Sequence, residues 1–108
     1  MKVAVIGSRN LNVNMKQYLP HGISLIVSGG ARGVDTLAEK YANAYGIAKL
    51  IFFPDYKRYG KVAPLARNKL IVDHADMVIA FWDGISRGTK YTIDYANSQN
   101  KKVFVHTK

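Results

Sequence analysis

The residues of this chain best suited to chemistry are its glycines and arginines. Gly7, Gly29, Gly30, Gly33, Gly84 and Gly88 each follow an apolar run rich in Val, Ile or Phe and precede or open a segment with helical spacing. A glycine there lets the backbone turn tightly and lets a ligand come close to the amides, while the next helix offers unpaired N–H groups to an anion. All five arginines, Arg9, Arg32, Arg58, Arg67 and Arg87, fall in the same connections or within the first turn of the helix that follows. The guanidinium fork matches phosphate oxygens two at a time, so the pattern predicts an anion pocket along one edge of the fold. Lysines are scattered more widely and supply solubility. Glu39 is the only glutamate and lies away from that edge, leaving Asp35, Asp55 and Asp83 as the carboxylates placed to reach it. Asp35, near a helix start, either complements the helix dipole or binds a ribose or base.

Other chemistries have little to work with. There is no cysteine, which excludes disulfides, thiolate metal sites and cysteine nucleophiles. His21, His74 and His106 lie far apart without metal-ligand spacing, so no metal site is expected. Sixteen Lys and Arg against seven Asp and Glu give a formal charge of +9, a field that favours nucleotides, nucleic acid or phosphorylated metabolites. Tyr56, Lys57, Arg58, Tyr59 and Lys61 interleave rings with cations, fit either to stack bases along a strand or to cover a single nucleotide. Trp82 either stacks on a base or caps the core.

The elements that must carry these residues follow from apolar periodicity. Val3 to Ile6, Ile23 to Val27, Leu50 to Phe53, Met77 to Trp82 and Val103 to Val105 read as strands buried on both faces. Val34, Leu37, Ala38, Tyr41, Ala42 and Tyr45 repeat with helical spacing; Leu11, Met15, Tyr18 and Leu19 do so more weakly, as do Thr89, Thr92, Ile93 and Ala96. Pro64 suits the first turn of a further helix reaching about Asp73. Gly22 and Gly46 look like helix C-terminal stops. Strand and helix therefore alternate, predicting an α/β fold: residues 1–108 as one doubly wound, Rossmann-like domain with about five parallel strands and helices on both faces. Ligands of such folds bind beyond the carboxyl ends of the strands, where the winding reverses. No apolar run approaches the roughly 18 residues that span a bilayer, and the apolar start is too short for a secretory signal; the expectation is a cytoplasmic protein without membrane contact.

Four motifs in order resemble the SLOG superfamily, along nearly the whole chain: Gly7-Ser8-Arg9, then Val27-Ser28-Gly29-Gly30-Ala31-Arg32-Gly33-Val34-Asp35, then Arg67-Asn68, then Asp83-Gly84-Ile85-Ser86-Arg87-Gly88-Thr89. That Rossmann-like group includes the DprA DNA-processing proteins, the LOG phosphoribohydrolases and small YspA and YpsA-related nucleotide-binding proteins. The run from Pro54 to Ala63, with Arg67-Asn68, is similar to the YspA-like branch. The resemblance implies a first phosphate loop of Gly29, Gly30, Ala31 and Gly33, a second of Gly84, Ser86, Gly88 and Thr89, and Arg67 and Asn68 facing the ligand between them. It also implies a homodimer.

LOG enzymes carry P-G-G-x-G-T-x-x-E, whose glutamate serves N-glycosidic bond cleavage. Here Thr92 stands at that position, and a threonine does not act as a carboxylate acid or base. Asp94 lies roughly 200° further round the helix and does not replace it. The expected function is therefore binding of a nucleotide or nucleotide-derived ligand, as a sensor or sequestering protein. The alternatives are DprA-like single-stranded DNA binding and hydrolysis of a nucleoside monophosphate.

Overall fold

The apolar runs form five parallel strands in the computed structural model, which describes residues 1–108. They are β1 (Lys2–Gly7), β2 (Leu25–Gly29), β3 (Ala48–Phe52), β4 (Met77–Trp82) and β5 (Lys102–Thr107). Side chains alternate across a strand, and β1 shows what that achieves. Val3 and Val5 enter one core with Ile26, Ile79 and Phe81; Ala4 and Ile6 enter another with Val27, Val78 and Ala80. The strand order is β3-β2-β1-β4-β5, so the chain winds outward from β1 to one edge, returns to β4 and winds outward to the other. β1 and β4 pair directly, Val3 opposite Met77 through Gly7 opposite Phe81. The expected α/β architecture is present. β1, β2 and β4 are buried on both faces, whereas the edge strands β3 and β5 are only half covered.

Helix α1 (Val34–Ala44) packs on the first core through Val34, Ala38 and Ala42. Helices α3 (Ala63–Asp73) and α4 (Arg87–Ser98) pack on the second through Ile71, Val72, Ile93 and Ala96. Between β3 and α3 the basic aromatic segment makes a one-turn helix, α2 (Tyr56–Tyr59), and a 3-10 turn, Gly60–Val62. Asp55 starts α2, its side chain accepting from the Arg58 amide at 3.2 Å.

One expected helix is missing. The apolar spacing of Leu11, Met15, Tyr18 and Leu19 predicts a helix, but the chain makes only a 3-10 turn at Met15–Gln17. Asn10, Asn12 and Asn14 interrupt that stretch, and asparagine side chains compete with helical backbone bonds; Asn14 Oδ1 accepts from the Lys16 amide at 3.2 Å. Pro20 then prevents extension. Met15 and Leu19 are nevertheless buried, and Tyr18 sets its ring edge-on to Phe81 at 5.2 Å. Gly22 accordingly stops no helix and sits in the turn before β2, whereas Gly46 follows the end of α1 at φ +64° as expected. No helix is long and apolar enough to cross a membrane.

Candidate functional site

The carboxyl ends of β1 and β4, the neighbours between which the winding reverses, open into a cavity of about 410 Å³. Its walls are Ile6 to Asn10 from the end of β1, Ala31 and Asp35 from the β2–α1 connection, Pro64, Leu65, Arg67, Asn68 and Ile71 from α3, and Asp83, Ser86, Gly88, Thr89 and Thr92 from the β4–α4 connection and α4. A second cavity of about 300 Å³ shares Arg9, Ala31 and Arg67 with the first and adds Gly30, Arg32, Pro54 and Tyr56.

Two glycines hold the first loops together. Gly33 has φ +77°, and a Cβ there would run into the Arg9 carbonyl, so the Gly30–Gly33 loop lies flush on the backbone after β1. At Gly29 a Cβ would stand 2.6 Å from Arg67 Nη1 and 2.8 Å from Asp35 Oδ2, so the missing side chain is what lets a cation and a carboxylate flank the end of β2.

Arg67 is only 6% exposed although it lies on α3 facing the cavities. Its Nε donates to Asn68 Oδ1 at 2.8 Å and its Nη1 to the Phe52 carbonyl at 3.3 Å. Asn68 Nδ2 donates in turn to Thr92 Oγ1 at 2.8 Å, and Thr92 Oγ1 donates to the Gly88 carbonyl at 2.9 Å. This relay fixes the guanidinium against α4 without neutralising it. The two ion pairs of the molecule are Lys49–Glu39 and Lys90–Asp94; Arg67 has none. Burial pulls its pKa down, opposed by the field of Asp35, yet a guanidinium stays charged at physiological pH.

Asp35 is 8% exposed. Its Oδ2 accepts from the Ala31 amide at 3.2 Å, closing the loop over the start of α1. Ser28 Oγ lies 3.1 Å from Asp35 Oδ1 and 2.7 Å from the Val5 carbonyl. One hydroxyl proton must serve both acceptors, so Ser28 supports the carboxylate only partly. Burial pushes the Asp35 pKa up, against the Ala31 amide, the Arg67 charge and Ser28.

The β4–α4 connection is built differently. Asp83 Oδ1 accepts from the amides of Ile85 at 2.9 Å and Ser86 at 2.7 Å, which hold its carboxyl below the usual carboxylate range. Ser86 caps α4, its Oγ accepting from the Thr89 amide at 3.4 Å, and Trp82 Nε1 donates to the Ser86 carbonyl at 2.9 Å. Ser8 joins this connection to β1, accepting at Oγ from the Asp83 amide at 3.2 Å.

Of the residues singled out in the sequence, Gly7, Ser8, Arg9, Ala31, Asp35, Arg67, Asn68, Asp83, Ser86, Gly88 and Thr89 converge on the larger cavity, and Gly30 and Arg32 on the smaller. Ser28 and Gly29 lie behind the wall; Gly33 packs on Arg9 rather than lining either cavity, and Gly84 faces open space. Arg58 and Arg87 line neither cavity, so three of the five arginines meet, not all of them. Trp82 braces the α4 cap against the second core. Asp94 is spent on an exposed pair with Lys90 at 2.8 Å. Sequence reasoning missed Asn10 as a wall residue and read Thr92 as a helix-face position and a lost glutamate, not as a wall residue. The available signal was helical spacing, which puts Thr92 on the face of α4 that also carries Ile93 and Ala96 into the protein; its bond from Asn68 emerges only in the fold.

No protein-family model matches the chain. It is 32% identical over 78 residues to the gene 61 protein of Mycobacterium phage D29, an alignment covering 67% of this chain and 62% of that protein. Its fold matches the X-ray structure of DNA processing protein A (DprA) from Streptococcus pneumoniae with a TM-score of 0.76. That match has 23% identity and covers 96% of this chain and 49% of that one. The domain is DprA-like in fold. The chain thus spans less than two thirds of the phage protein and about half of the DprA chain.

Proposed function

We propose that this domain binds a nucleotide or a nucleotide-derived phosphorylated ligand in the paired cavities at the β1–β4 junction. The observation that carries the reading is Arg67: a nearly fully buried cation, held in place by hydrogen bonds, facing open volume and lacking an ion pair. Burying a charge without a direct ion pair is costly; the field of Asp35 offsets part of that cost, and an anionic ligand would offset more. Arg9 and Arg32 beside it supply further guanidinium groups for phosphate. The YspA-like motif order supports the same reading. Glycosidic cleavage is not part of it, because Thr92 spends its hydroxyl on the Gly88 carbonyl.

Calorimetry and thermal unfolding with a panel of nucleotides and cyclic nucleotides test the proposal. A ligand at a hundred times its Kd contributes about 2.7 kcal/mol, which in a domain of this size raises Tm on the order of 10 °C. No heat and no shift from any member overturns the reading. Native mass spectrometry of freshly purified protein reads both a co-purifying ligand and the number of subunits.

A second reading, single-stranded DNA binding, is favoured by the DprA-like fold, the +9 charge and two exposed rings beside the arginines, Phe53 packed over Gly30 and Tyr56 on the smaller cavity. It requires oligonucleotide affinity that falls steeply as salt rises. Tight nucleotide binding with no oligonucleotide shift at low salt excludes it.

A further inference from the structure

The two cavities differ in charge, and the difference assigns a direction to whatever spans them. We propose that they form one bipartite site of fixed polarity, in which the phosphate of a nucleoside monophosphate sits in the smaller cavity against Arg9, Arg32 and Arg67, and its uncharged nucleoside end occupies the larger. This rests on the nucleotide reading above and adds the orientation.

The smaller cavity carries three guanidinium groups and no carboxylate on its wall. The larger one sets Asp35 and Asp83 against Arg9 and Arg67, so its formal charge balances to zero when both carboxylates are ionised. A phosphate moved toward that end approaches two acidic side chains and leaves Arg32 behind. A nucleoside there meets the Ser86 and Thr89 hydroxyls and the second Nδ2 proton of Asn68, which suit hydroxyls and base edges.

Helix α4 starts in the larger cavity, and the resemblance to the SLOG superfamily implies a second phosphate cradle in its loop. In the folded chain four amides of that loop and first turn are engaged, while those of Arg87 and Gly88 are not. Those of Ile85 and Ser86 donate to the Asp83 carboxylate, that of Thr89 to Ser86 Oγ, and that of Lys90 to the Ser86 carbonyl. An anion reaching the Ile85 and Ser86 amides would have to displace the Asp83 carboxylate from its own turn. At the other end the Ala31 amide is likewise engaged, by Asp35, and the difference lies in the three guanidinium groups. Arg67 lies on the wall common to both cavities, and the Gly33 contact with the Arg9 backbone keeps Arg9 beside Arg32.

Calorimetry with the four ribonucleoside 5′-monophosphates, the parent nucleosides and inorganic pyrophosphate, on the wild type, Arg32→Gln and Thr89→Val, tests the orientation. Arg32 is exposed and Thr89→Val is isosteric, so both variants should fold; their unfolding curves check this. Arg32→Gln is expected to weaken the bound monophosphate and pyrophosphate about tenfold or more, while nucleoside affinity stays within about twofold. Thr89→Val is expected to weaken monophosphate and nucleoside by the same factor and to leave pyrophosphate unaffected. The mirror result, with pyrophosphate sensitive to Thr89→Val and indifferent to Arg32→Gln, overturns the orientation while nucleotide binding stands. So does an Arg32→Gln variant that binds all three probes as the wild type does, or that weakens monophosphate and nucleoside equally. A wild type that binds neither monophosphate nor pyrophosphate overturns the nucleotide reading itself, and the orientation with it.

Discussion

Asp35 shows how one side chain can serve both the fold and the site at some cost to stability. It ties the Ala31 amide to the start of α1, yet it does so from a buried position with half a share of the Ser28 proton. Its pKa is therefore raised in the folded state above the unfolded value of about 3.9. The sign of the consequence follows. As pH rises through and above that value the unfolded chain releases its proton first, so the Asp35 contribution to stability is fullest at low pH and is lost as pH passes the folded pKa. In Asp35→Asn the amide can donate to Ser28 Oγ, freeing the Ser28 hydroxyl for Val5 and removing the titration. The stability of the wild type relative to this variant is expected to fall as pH is raised from about 4 to 7, read by urea unfolding; a difference that stays flat would show that Asp35 titrates normally. That Asp35, Arg67 and Asn68 belong together was legible from the motifs. That Arg67 is buried without an ion pair was not, because burial depends on the Phe52 carbonyl and α4, which no local spacing reports.

Loops and helices decide which of these side chains meet. Gly33 and Gly46 both have positive φ, but they sit in different surroundings: a Cβ at Gly33 runs into the Arg9 backbone, and one at Gly46 meets nothing within 4 Å. Backbone strain alone costs an L-residue about 1 kcal/mol, so Gly46→Ala is expected to lose about that much. Gly33→Ala adds a clash with main chain that cannot swing aside, and is expected to lose at least about 2 kcal/mol and to weaken ligand binding by separating Arg9 from Arg32. Equal losses at the two positions in urea unfolding would dismiss the packing of the Gly33 loop on Arg9. The strands were readable from short Val- and Ile-rich runs bounded by turn residues, but burial on both faces holds only for β1, β2 and β4 and not for the edge strands β3 and β5. The first crossover was misread because Leu11, Met15, Tyr18 and Leu19 are apolar at helical intervals for a different reason: they cover the sheet from an irregular segment whose asparagines disfavour a helix. Helix α3 was found through Pro64, not through amphipathicity, since part of its inward side is given to Arg67 and Asn68.

Across the whole molecule the outward-and-back winding places each wall of the larger cavity in a different half of the sequence. Arg9, Ala31 and Asp35 come from the first 44 residues, and Arg67, Asn68, Asp83 and Thr89 from the stretch between β3 and β5. The positive charge that suggested an anion partner is spread over the surface; what makes a pocket of it is the adjacency of β1 and β4, which short-range patterning does not encode. That adjacency has a mechanical side. A molecule lodged at the seam would act as a rivet between halves that already meet through the β1–β4 pairing, the Ser8 link to Asp83 and both cores, so amide hydrogens along β1 and β4 should exchange more slowly once it is present, with β3 and β5 at the rims unaffected.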